Sequence, residues 1–381
     1  MMIDSQKHLF SLPDYVTYIN GAYMSAQLKS VASIGIACLK KKNTPYSITS
    51  EDFFTQRTIL KKRFATLIAA SDYQNIAIIP SVSYGIANVA NNIKLNIGDE
   101  ILVVDEQFPS NIYEWKRIAE KQHATIKIVK PPMDFKNRGE GWNEAILKAI
   151  TAKTAVVAMP HVHWADGTLF DLVRIREKTK QVQSLLVIDG TQSVGALPFS
   201  IEEIQPDALI CAGYKWLMGP YSIGVAYYSD SFNNGEPIEN NWVSRLHSED
   251  FTQLTQYNNH YQPKADRYSM GESSNFILLP MLIKGIEQLL EWQPKNIQAY
   301  CENISSNAIE QLRAKDCFIE NDSYRAKHLF GVYLPEKIDM ETIKQKLIEY
   351  NIFVSYRGKA IRVSPYLYNT KADFDAFLSC F

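Results

Sequence analysis

Short apolar runs alternate with longer amphipathic segments through the first half of the chain. Five runs have the length and the Val, Ile and Leu content of buried strands, at residues 75–80, 100–105, 154–159, 184–189 and 207–212. Segments of helical length separate most of them. This alternation predicts an α/β fold with a mostly parallel sheet. A further apolar run at 222–228 predicts an additional strand that could be antiparallel.

The pattern changes beyond an amphipathic helix predicted at 280–292. From about residue 295 the sequence predicts a helix, a strand, a helix, two strands and a last helix, at 296–315, 328–334, 339–351, 352–358, 360–365 and 371–381. This order is typical of a separate α+β unit. We therefore predict a large α/β domain at 16–265 and a small domain formed by 1–15 and 266–381. A ligand site between them is expected.

Charge and cysteine content narrow the class of function. Forty basic residues balance 41 acidic ones, and no long basic block is present, so neither a nucleic acid nor a membrane surface is the expected partner. The five cysteines are scattered without C-x-x-C spacing, which argues against a disulfide framework and a structural zinc site. Without an apolar run of membrane-spanning length or a secretory-type start, the protein is expected to be cytoplasmic and to bind a small molecule.

Polar residues follow three of the predicted strands. Ser81 and Ser83 stand between strand 75–80 and a helical segment, where backbone N–H groups could bind an anion, although an ordinary Ser N-cap would give the same pattern. Asp189 ends the run 184–189, although Asp-Gly is also common turn chemistry. Lys215 follows the run 207–212 between Tyr and Trp, where desolvation would lower its pKa.

Two other motifs do not predict a site. The segment 139–141 (GEG) has the look of a dinucleotide fingerprint, but it follows charged residues rather than a strand. His161 and His163 have metal-like spacing without a second group of ligands, which favours a loop. No metal is expected.

An acid, an amine and an anion-binding turn at neighbouring strand ends are the groups that pyridoxal phosphate requires. Asp189 would face the protonated ring nitrogen, Lys215 would form the Schiff base, and the turn would hold the phosphate. This combination predicts a pyridoxal-phosphate enzyme.

The chain resembles the class V aminotransferase family of fold-type I pyridoxal-phosphate enzymes, which includes cysteine desulfurases, kynureninases and isopenicillin-N-epimerase-like proteins. The resemblance rests on motifs in the family's order: YINGA, SVSYGIA, EQFPSNIYEW, HVHWADG, DGTQSVGA, AGYKWLMGP and IRVSPYLYNT. It implies a large domain with a mostly parallel sheet of the seven-stranded type and a smaller α+β C-terminal domain.

The resemblance also implies roles for individual residues. Lys215 would be the Schiff-base lysine, Asp189 the partner of the ring nitrogen, and Gln192 a hydrogen-bond donor to the ring's phenolic oxygen. The phosphate would be held by Val82, Ser83 and Tyr214. Phe108 would stack on the cofactor, although a core Phe is the alternative, and its Phe-Pro-Ser context is most similar to kynureninase. For substrate, Arg362 would bind the carboxylate, and Trp164 stands where many members have Asn.

The sequence departs from the cysteine desulfurases. They have a His over the ring, where this chain has Phe108, and a Cys on the loop before the substrate arginine, whereas residues 351–361 contain no Cys. Desulfurase activity is therefore not expected. The expected function is transamination of an amino acid or related amine. A kynureninase-like hydrolase or an epimerase or lyase of the same family stays open, as does a non-catalytic Rossmann-like nucleotide-binding protein.

A homodimer with active sites at the subunit interface is expected from the resemblance. Residues 267–273 occupy the position from which this family completes the neighbouring subunit's phosphate pocket. Residues 240–261 contain Trp, Tyr, Phe and Arg, which are enriched at protein contacts, although an irregular surface loop would also accommodate them.

Overall fold

The computed structural model describes residues 3–133 and 135–381. Its strands are β1 (Thr17–Tyr18), β2 (Ile76–Ile79), β3 (Glu100–Val104), β4 (Thr125–Val129), β5 (Thr154–Pro160), β6 (Leu185–Asp189), β7 (Ala208–Ala212), β8 (Gly224–Tyr228), β9 (Phe330–Tyr333), β10 (Ile352–Phe353), β11 (Ser355–Arg357) and β12 (Ala360–Val363). Its α-helices are α1 (Lys29–Lys41), α2 (Thr55–Leu67), α3 (Val82–Asn91), α4 (Tyr113–Lys121), α5 (Arg138–Ala149), α6 (Leu172–Gln181), α7 (Ile201–Ile204), α8 (Leu278–Trp292), α9 (Pro294–Ala314), α10 (Met340–Glu349) and α11 (Lys371–Leu378).

The main sheet of the described residues has seven strands in the order β2-β8-β7-β6-β5-β3-β4. The strands β7, β6, β5, β3 and β4 are parallel to one another. Strand β8 is antiparallel to both β2 and β7, so β2 points the same way as β7. The predicted α/β fold and the predicted antiparallel strand are confirmed, and the carboxyl ends of six strands meet at one edge.

Alternating residues of the central strands enter two separate hydrophobic clusters, one on each face of the sheet. In β2, Ile76 and Ile78 join the cluster that includes α2 and α8, whereas Ala77 and Ile79 join the cluster that includes α3 and α4. Because both faces are covered, these strands are continuous apolar runs rather than alternating ones. A polar side chain at the end of such a strand therefore lies next to buried surroundings.

The C-terminal residues form two further small sheets. Strands β11, β12 and β9 make an antiparallel sheet in that order, and β1 pairs with β10 in parallel. The N-terminal segment is thus joined to the C-terminal unit, and Asn20 also bridges to Ser364. The proposed boundaries of the large and small domains stay a prediction, since α8 packs against α1 and α2 of the N-terminal part.

Two elements differ from the sequence-based prediction. Strand β4 was not predicted: it lies at the sheet edge, where Thr125 and Ile128 are exposed and Lys127 is half-buried, so the strand lacks a continuous apolar run. The single strand predicted at 352–358 is divided into β10 and β11, which pair with different partners. The sequence predicted one strand because hydrophobicity is not interrupted at Val354, where the chain passes from one sheet to the other.

The longest helix, α9, is amphipathic and packs its apolar face on the core. Ile297, Cys301, Ile304 and Leu312 are buried at helical spacing. In the described ranges, no helix, α9 included, is both long enough and apolar enough to cross a bilayer.

Candidate active site

A cavity of 260 Å³ opens at the carboxyl edge of the main sheet. Eight of the residues to which the resemblance assigns a role contribute to its wall: Val82, Ser83, Phe108, Trp164, Asp189, Gln192, Tyr214 and Lys215. They follow β2, β3, β5, β6 and β7, which is where open α/β sheets bind ligands. The fold therefore brings together residues that are up to 133 positions apart in the chain.

Asp189 is the last residue of β6 and lies deep in this cavity. It is 8% exposed, and one carboxylate oxygen accepts a hydrogen bond from the backbone N–H of Thr191 at 3.0 Å. Burial raises the pKa of the Asp189 carboxyl, and its hydrogen bonds to Thr191 and the charge of Lys215 offset only part of this rise. No cation of the described residues forms an ion pair with it. A protonated ring nitrogen at this position would stabilise its charged form.

Lys215 follows β7 in a turn closed by a hydrogen bond from Met218 N to its carbonyl. Its Nζ lies 5.5 Å from the ring centroids of both Phe108 and Tyr214 and has no carboxylate partner within the described chain. Burial, followed by the charge of Arg362, lowers the pKa of Lys215 to about 8. A minority of the amine, about a tenth at pH 7, is therefore neutral and able to attack a carbonyl, far more than for an ordinary lysine.

The predicted anion-binding turn is the first turn of α3. Ser81 is the N-cap, and its Oγ accepts a hydrogen bond from Tyr84 N at 3.2 Å and lies 3.0 Å from Ser83 Oγ. The N-cap alternative thus applies to Ser81. The N–H groups of Val82 and Ser83 have no intrahelical acceptor, because they are at the helix start. They and the helix dipole can bind an anion that enters the cavity.

Gln192 is fixed by two hydrogen bonds behind Asp189. Its Nε2 donates to the carbonyl of Ala22 at 3.1 Å, and its Oε1 accepts from Trp216 Nε1 at 2.9 Å. One N–H of the amide remains for a ligand. Gly195 makes this packing possible: it has φ of 102°, and a Cβ there would lie 2.2 Å from the Trp216 carbonyl oxygen.

Phe108 and Trp164 form an aromatic wall on the other side of Lys215. Their rings meet edge to face with centroids 5.3 Å apart, and Trp164 Nε1 donates to the carbonyl of Glu106 at 2.6 Å. Phe108 is 36% exposed, which is uncommon for a core Phe and suits a residue that covers a ligand. Tyr214 faces the same space, and burial raises its pKa to about 12, so its hydroxyl remains a proton donor at neutral pH.

Arg362, in β12, lies beside this wall and is 1% exposed. Its guanidinium donates to the carbonyl of Trp164 at 2.9 Å and to Ser355 Oγ at 3.3 Å, whereas its Nε is buried without a partner. Burial, together with the nearby charge of Arg357, lowers the pKa of Arg362 to about 9. A buried guanidinium that lacks a carboxylate is suited to bind one in two-point geometry.

A buried polar network supports the loop that carries Trp164. Asp166 accepts hydrogen bonds from His163, from Thr168 and from Tyr333 of β9, and forms an ion pair with Arg138 at 2.8 Å. His163 is therefore part of this network, in agreement with the loop interpretation. The sequence analysis missed Asp166 because its role depends on partners from β9 and α5, which are distant in the chain.

Arg357 is the second residue that the sequence analysis missed. It lies in β11, and its guanidinium is 5.3 Å from the Trp164 ring centroid. It stands five residues before Arg362, in a predicted strand that carried no recognised motif. Thr191, Tyr221 and Ser222 also contribute to the cavity wall and were not predicted.

These residues fit pyridoxal phosphate. The cavity presents a buried carboxylate without a cation, a partly neutral amine without a carboxylate, and helix N–H groups without acceptors. In bound pyridoxal phosphate, the ring nitrogen would pair with the carboxylate, the aldehyde would react with the amine, and the phosphate would accept hydrogen bonds from the helix N–H groups. The residue assignments made from the sequence stay predictions, and the structure places all of them except Arg362 on one cavity wall.

The segment expected to meet a neighbouring subunit runs beside β2. Met270 N donates to the carbonyl of Ile78, and Gly271 N donates to Glu239, which also accepts from Tyr84 OH. Residues 240–261 carry the exposed side chains of Trp242 and other aromatic residues. The homodimer stays a prediction.

Comparisons with known proteins identify the family of the chain. Residues 47–377 match the model of the family described as Aminotransferase class-V. An uncharacterized aminotransferase of Bacillus subtilis is 23% identical over 82% of this chain and 80% of its own length. A probable cysteine desulfurase of Borreliella burgdorferi is 23% identical over 96% of this chain and 90% of its own length.

Solved structures share the fold. The apo cysteine desulfurase of Thermococcus onnurineus superimposes with a TM-score of 0.84 at 18% identity, covering 99% of this chain and 97% of that one. The cystine C-S lyase C-DES, in complex with its product cysteine persulfide, gives 0.84 at 19% identity and covers 96% of each chain. A mutant of C-DES carries glycine covalently linked to its PLP cofactor.

Proposed function

This chain belongs to the class V aminotransferase family of pyridoxal-phosphate enzymes, and we propose that it transfers the amino group of an amino acid to an oxo acid. The observation that carries the proposal is the cavity itself. Among the described residues of its wall, Lys215 is the one amine, placed between two aromatic rings and near the buried Asp189. The cofactor, when bound, supplies an electron sink that makes the Cα–H bond of the amino acid acidic.

The proposed role of Lys215 is to move one proton. With its pKa lowered to about 8, the free amine of Lys215 would accept a proton from the substrate Cα near neutral pH. For transamination, the Lys215 ammonium would then give this proton up again on the same face. A single group on one face can carry out both transfers.

The titratable groups in the cavity favour transamination over epimerisation. Beside Lys215 the wall contains Asp189, Tyr214 and Tyr221. Asp189 lies at the depth assigned to the ring nitrogen, and the raised pKa of Tyr214 makes it a poor base. Epimerisation is served better by a second acid/base group on the opposite face of the substrate. The described cavity wall offers no strong candidate for that group.

The positions of the cysteines bear on the desulfurase names of the relatives. Desulfurisation of cysteine through an enzyme persulfide requires a thiolate that reaches the substrate sulfur. Cys211, Cys301, Cys317 and Cys380 are buried, and Cys38 lies at a different cavity beside Lys41 and Asp52. No described cysteine contributes to the active-site cavity. A sulfur-accepting role for this chain's own thiols is therefore not part of the proposal.

Arg362 is proposed to bind the substrate α-carboxylate. Two of its five N–H groups are in use, toward Trp164 O and Ser355 Oγ, so three remain for a ligand. The two existing bonds fix the guanidinium plane. This fixed plane would hold the amino acid with its Cα–H bond toward Lys215.

A screen of amino donors against oxo-acid acceptors tests the proposal. We expect holoenzyme to convert its cofactor from the pyridoxal to the pyridoxamine form with at least one donor, with stoichiometric release of the matching oxo acid. Lys215→Ala should lower the rate of this conversion at least ~10²-fold, since proton transfer by a positioned side chain contributes about 10²- to 10⁴-fold. Lys359→Gln, which removes an exposed lysine, is the matched control and should be unaffected.

Two results would reject amino transfer. One is release of alanine or sulfide from cysteine-type substrates, or hydrolytic or racemised products, with no amino transfer to any acceptor. The other is a holoenzyme that converts no donor at all.

A further inference from the structure

Two arginines project from one face of the hairpin formed by β11 and β12. Ser355 pairs with Arg362 and Arg357 pairs with Ala360. Residues 355 and 357 point to the same face of a strand, and the residue that pairs with Ser355 shares that face. Arg357 and Arg362 are therefore diagonal neighbours, with backbones about 7–8 Å apart.

Both arginines adjoin the aromatic wall of the cavity. Arg362 donates to the carbonyl of Trp164, and the Arg357 guanidinium lies 5.3 Å from the centroid of the same residue's ring. The Trp164 ring meets Phe108, whose ring is 5.5 Å from Lys215 Nζ. Both guanidinium groups therefore contact Trp164, which is part of the wall of the cavity that contains Lys215.

Neither arginine has an acidic partner in the described residues. Arg357 Nη1 donates a hydrogen bond to the carbonyl of its neighbour Tyr356 at 2.7 Å, and its Nε is buried without a partner. The nearby acid, Asp189, is matched to the ring nitrogen. Burial lowers the pKa of Arg357, and its charge helps lower the pKa of Arg362 and of Lys215, which indicates that these three cations are close enough to repel each other.

An α-carboxylate would neutralise one of these cations and leave the other unpaired. A partly buried guanidinium held on an aromatic ring with a free Nε–H is costly unless an anion binds it. We propose that Arg357 binds a second anionic group at the end of the substrate side chain, so that the preferred amino donors or acceptors are dianionic, of the dicarboxylic class. This inference rests on the proposed function, because it assigns the α-carboxylate to Arg362.

Binding of unreactive acids to the holoenzyme tests the inference without turnover. Succinate and glutarate carry two carboxylates, whereas butyrate and valerate have the same chain lengths and one. By isothermal titration we expect each dicarboxylate to bind at least ten-fold more tightly than its monocarboxylate. The phosphonate and sulfonate analogues of succinate determine which terminal anion is preferred.

Three variants identify the residue responsible. Arg357→Gln should reduce the dicarboxylate preference to less than three-fold while leaving monocarboxylate binding unchanged. Arg357→Lys should retain an intermediate preference, since it keeps the charge but not the planar fork. Lys359→Gln removes a positive charge from the exposed end of the same hairpin and should leave the preference intact.

The inference is overturned if the wild-type holoenzyme binds both classes equally, or if Arg357→Gln keeps the full preference. If Arg357→Gln does not fold, either of two results would reject the inference: a full preference in Arg357→Lys, or a loss of preference in Lys359→Gln as large as that in Arg357→Lys. In both cases general charge, rather than the Arg357 guanidinium, would explain the effect. Failure of the proposed function has a different signature. A dicarboxylate preference that depends on Arg357, in an enzyme that transfers no amino group, would reject transamination and retain the second anion site.

Discussion

Replacing Asp166 with Asn tests the buried network that holds the Trp164 loop. Asp166 is 3% exposed and forms an ion pair with Arg138 at 2.8 Å. Although burial raises the pKa of an isolated carboxyl, His163 and Arg138 hold the pKa of Asp166 well below its ordinary value. Asn has similar size but no charge, so the variant leaves the Arg138 guanidinium buried without its main partner.

The expected loss of unfolding free energy is about 3 kcal/mol. Breaking one side of a buried ion pair costs about 3–5 kcal/mol. The lower end applies because Arg138 keeps a hydrogen bond to Thr168 Oγ1 at 2.9 Å and lies 3.9 Å from Glu320. Removal of the exposed pair between Arg174 and Glu144 by Glu144→Gln is the control, and should cost less than about 1 kcal/mol.

Urea unfolding of both variants at pH 7, followed by circular dichroism, measures these losses. The folded-state pKa of Asp166 is depressed, so its contribution is fully present at neutral pH and is lost as the pH falls below the unfolded value of about 3.9. The difference between wild type and Asp166→Asn should therefore shrink in acid. A loss at pH 7 below about 1 kcal/mol, equal to that of the control, would refute the reasoning.

Three further predictions concern the site and its assembly. Arg362→Ala should weaken kcat/KM for carboxylate-bearing substrates by about 2–5 kcal/mol without changing cofactor absorbance; unchanged kcat/KM for every substrate would remove Arg362 from the site. Cofactor-free protein should bind pyridoxal phosphate faster as the pH rises through about 8, because burial lowers the pKa of Lys215 to about 8 and the neutral amine is the nucleophile. Stopped-flow measurement of the binding rate against pH tests this, and an inflection near 10.5 would contradict it. Light scattering should find a homodimer whose dissociation on dilution releases cofactor, and a fully active monomer would disprove the role given to residues 267–273.

The sequence predicted the large sheet well because its strands are buried on both faces. Continuous apolar runs such as Leu185–Asp189 indicate their length and their polar ends directly. Strand Thr125–Val129 was not predicted because an edge strand needs little hydrophobicity, and its Lys127 forms an ion pair with Glu100 of the neighbouring strand. The division of 352–358 into two strands depends on partners at opposite ends of the chain, which no local pattern encodes.

The site was predictable to the extent that its residues lie at strand ends. Asp189, Lys215 and the Ser81 turn each follow an apolar run, so topology alone places them at one edge. Arg357 does not follow an apolar run, so the sequence does not mark it as a site residue. Its proposed role depends on its contact with Trp164, which is distant in the chain. Its lack of an acidic partner is visible only in three dimensions.

The most direct test of the account is to locate the cofactor on the chain. Holoprotein reduced with borohydride and digested should give one pyridoxyl group per chain, on the peptide that contains Lys215, and Lys215→Ala should give none. This result would place the cofactor between Asp189 and the aromatic wall, as amino transfer at this cavity requires. A pyridoxyl group on a different lysine, or one that persists in Lys215→Ala, would contradict the account.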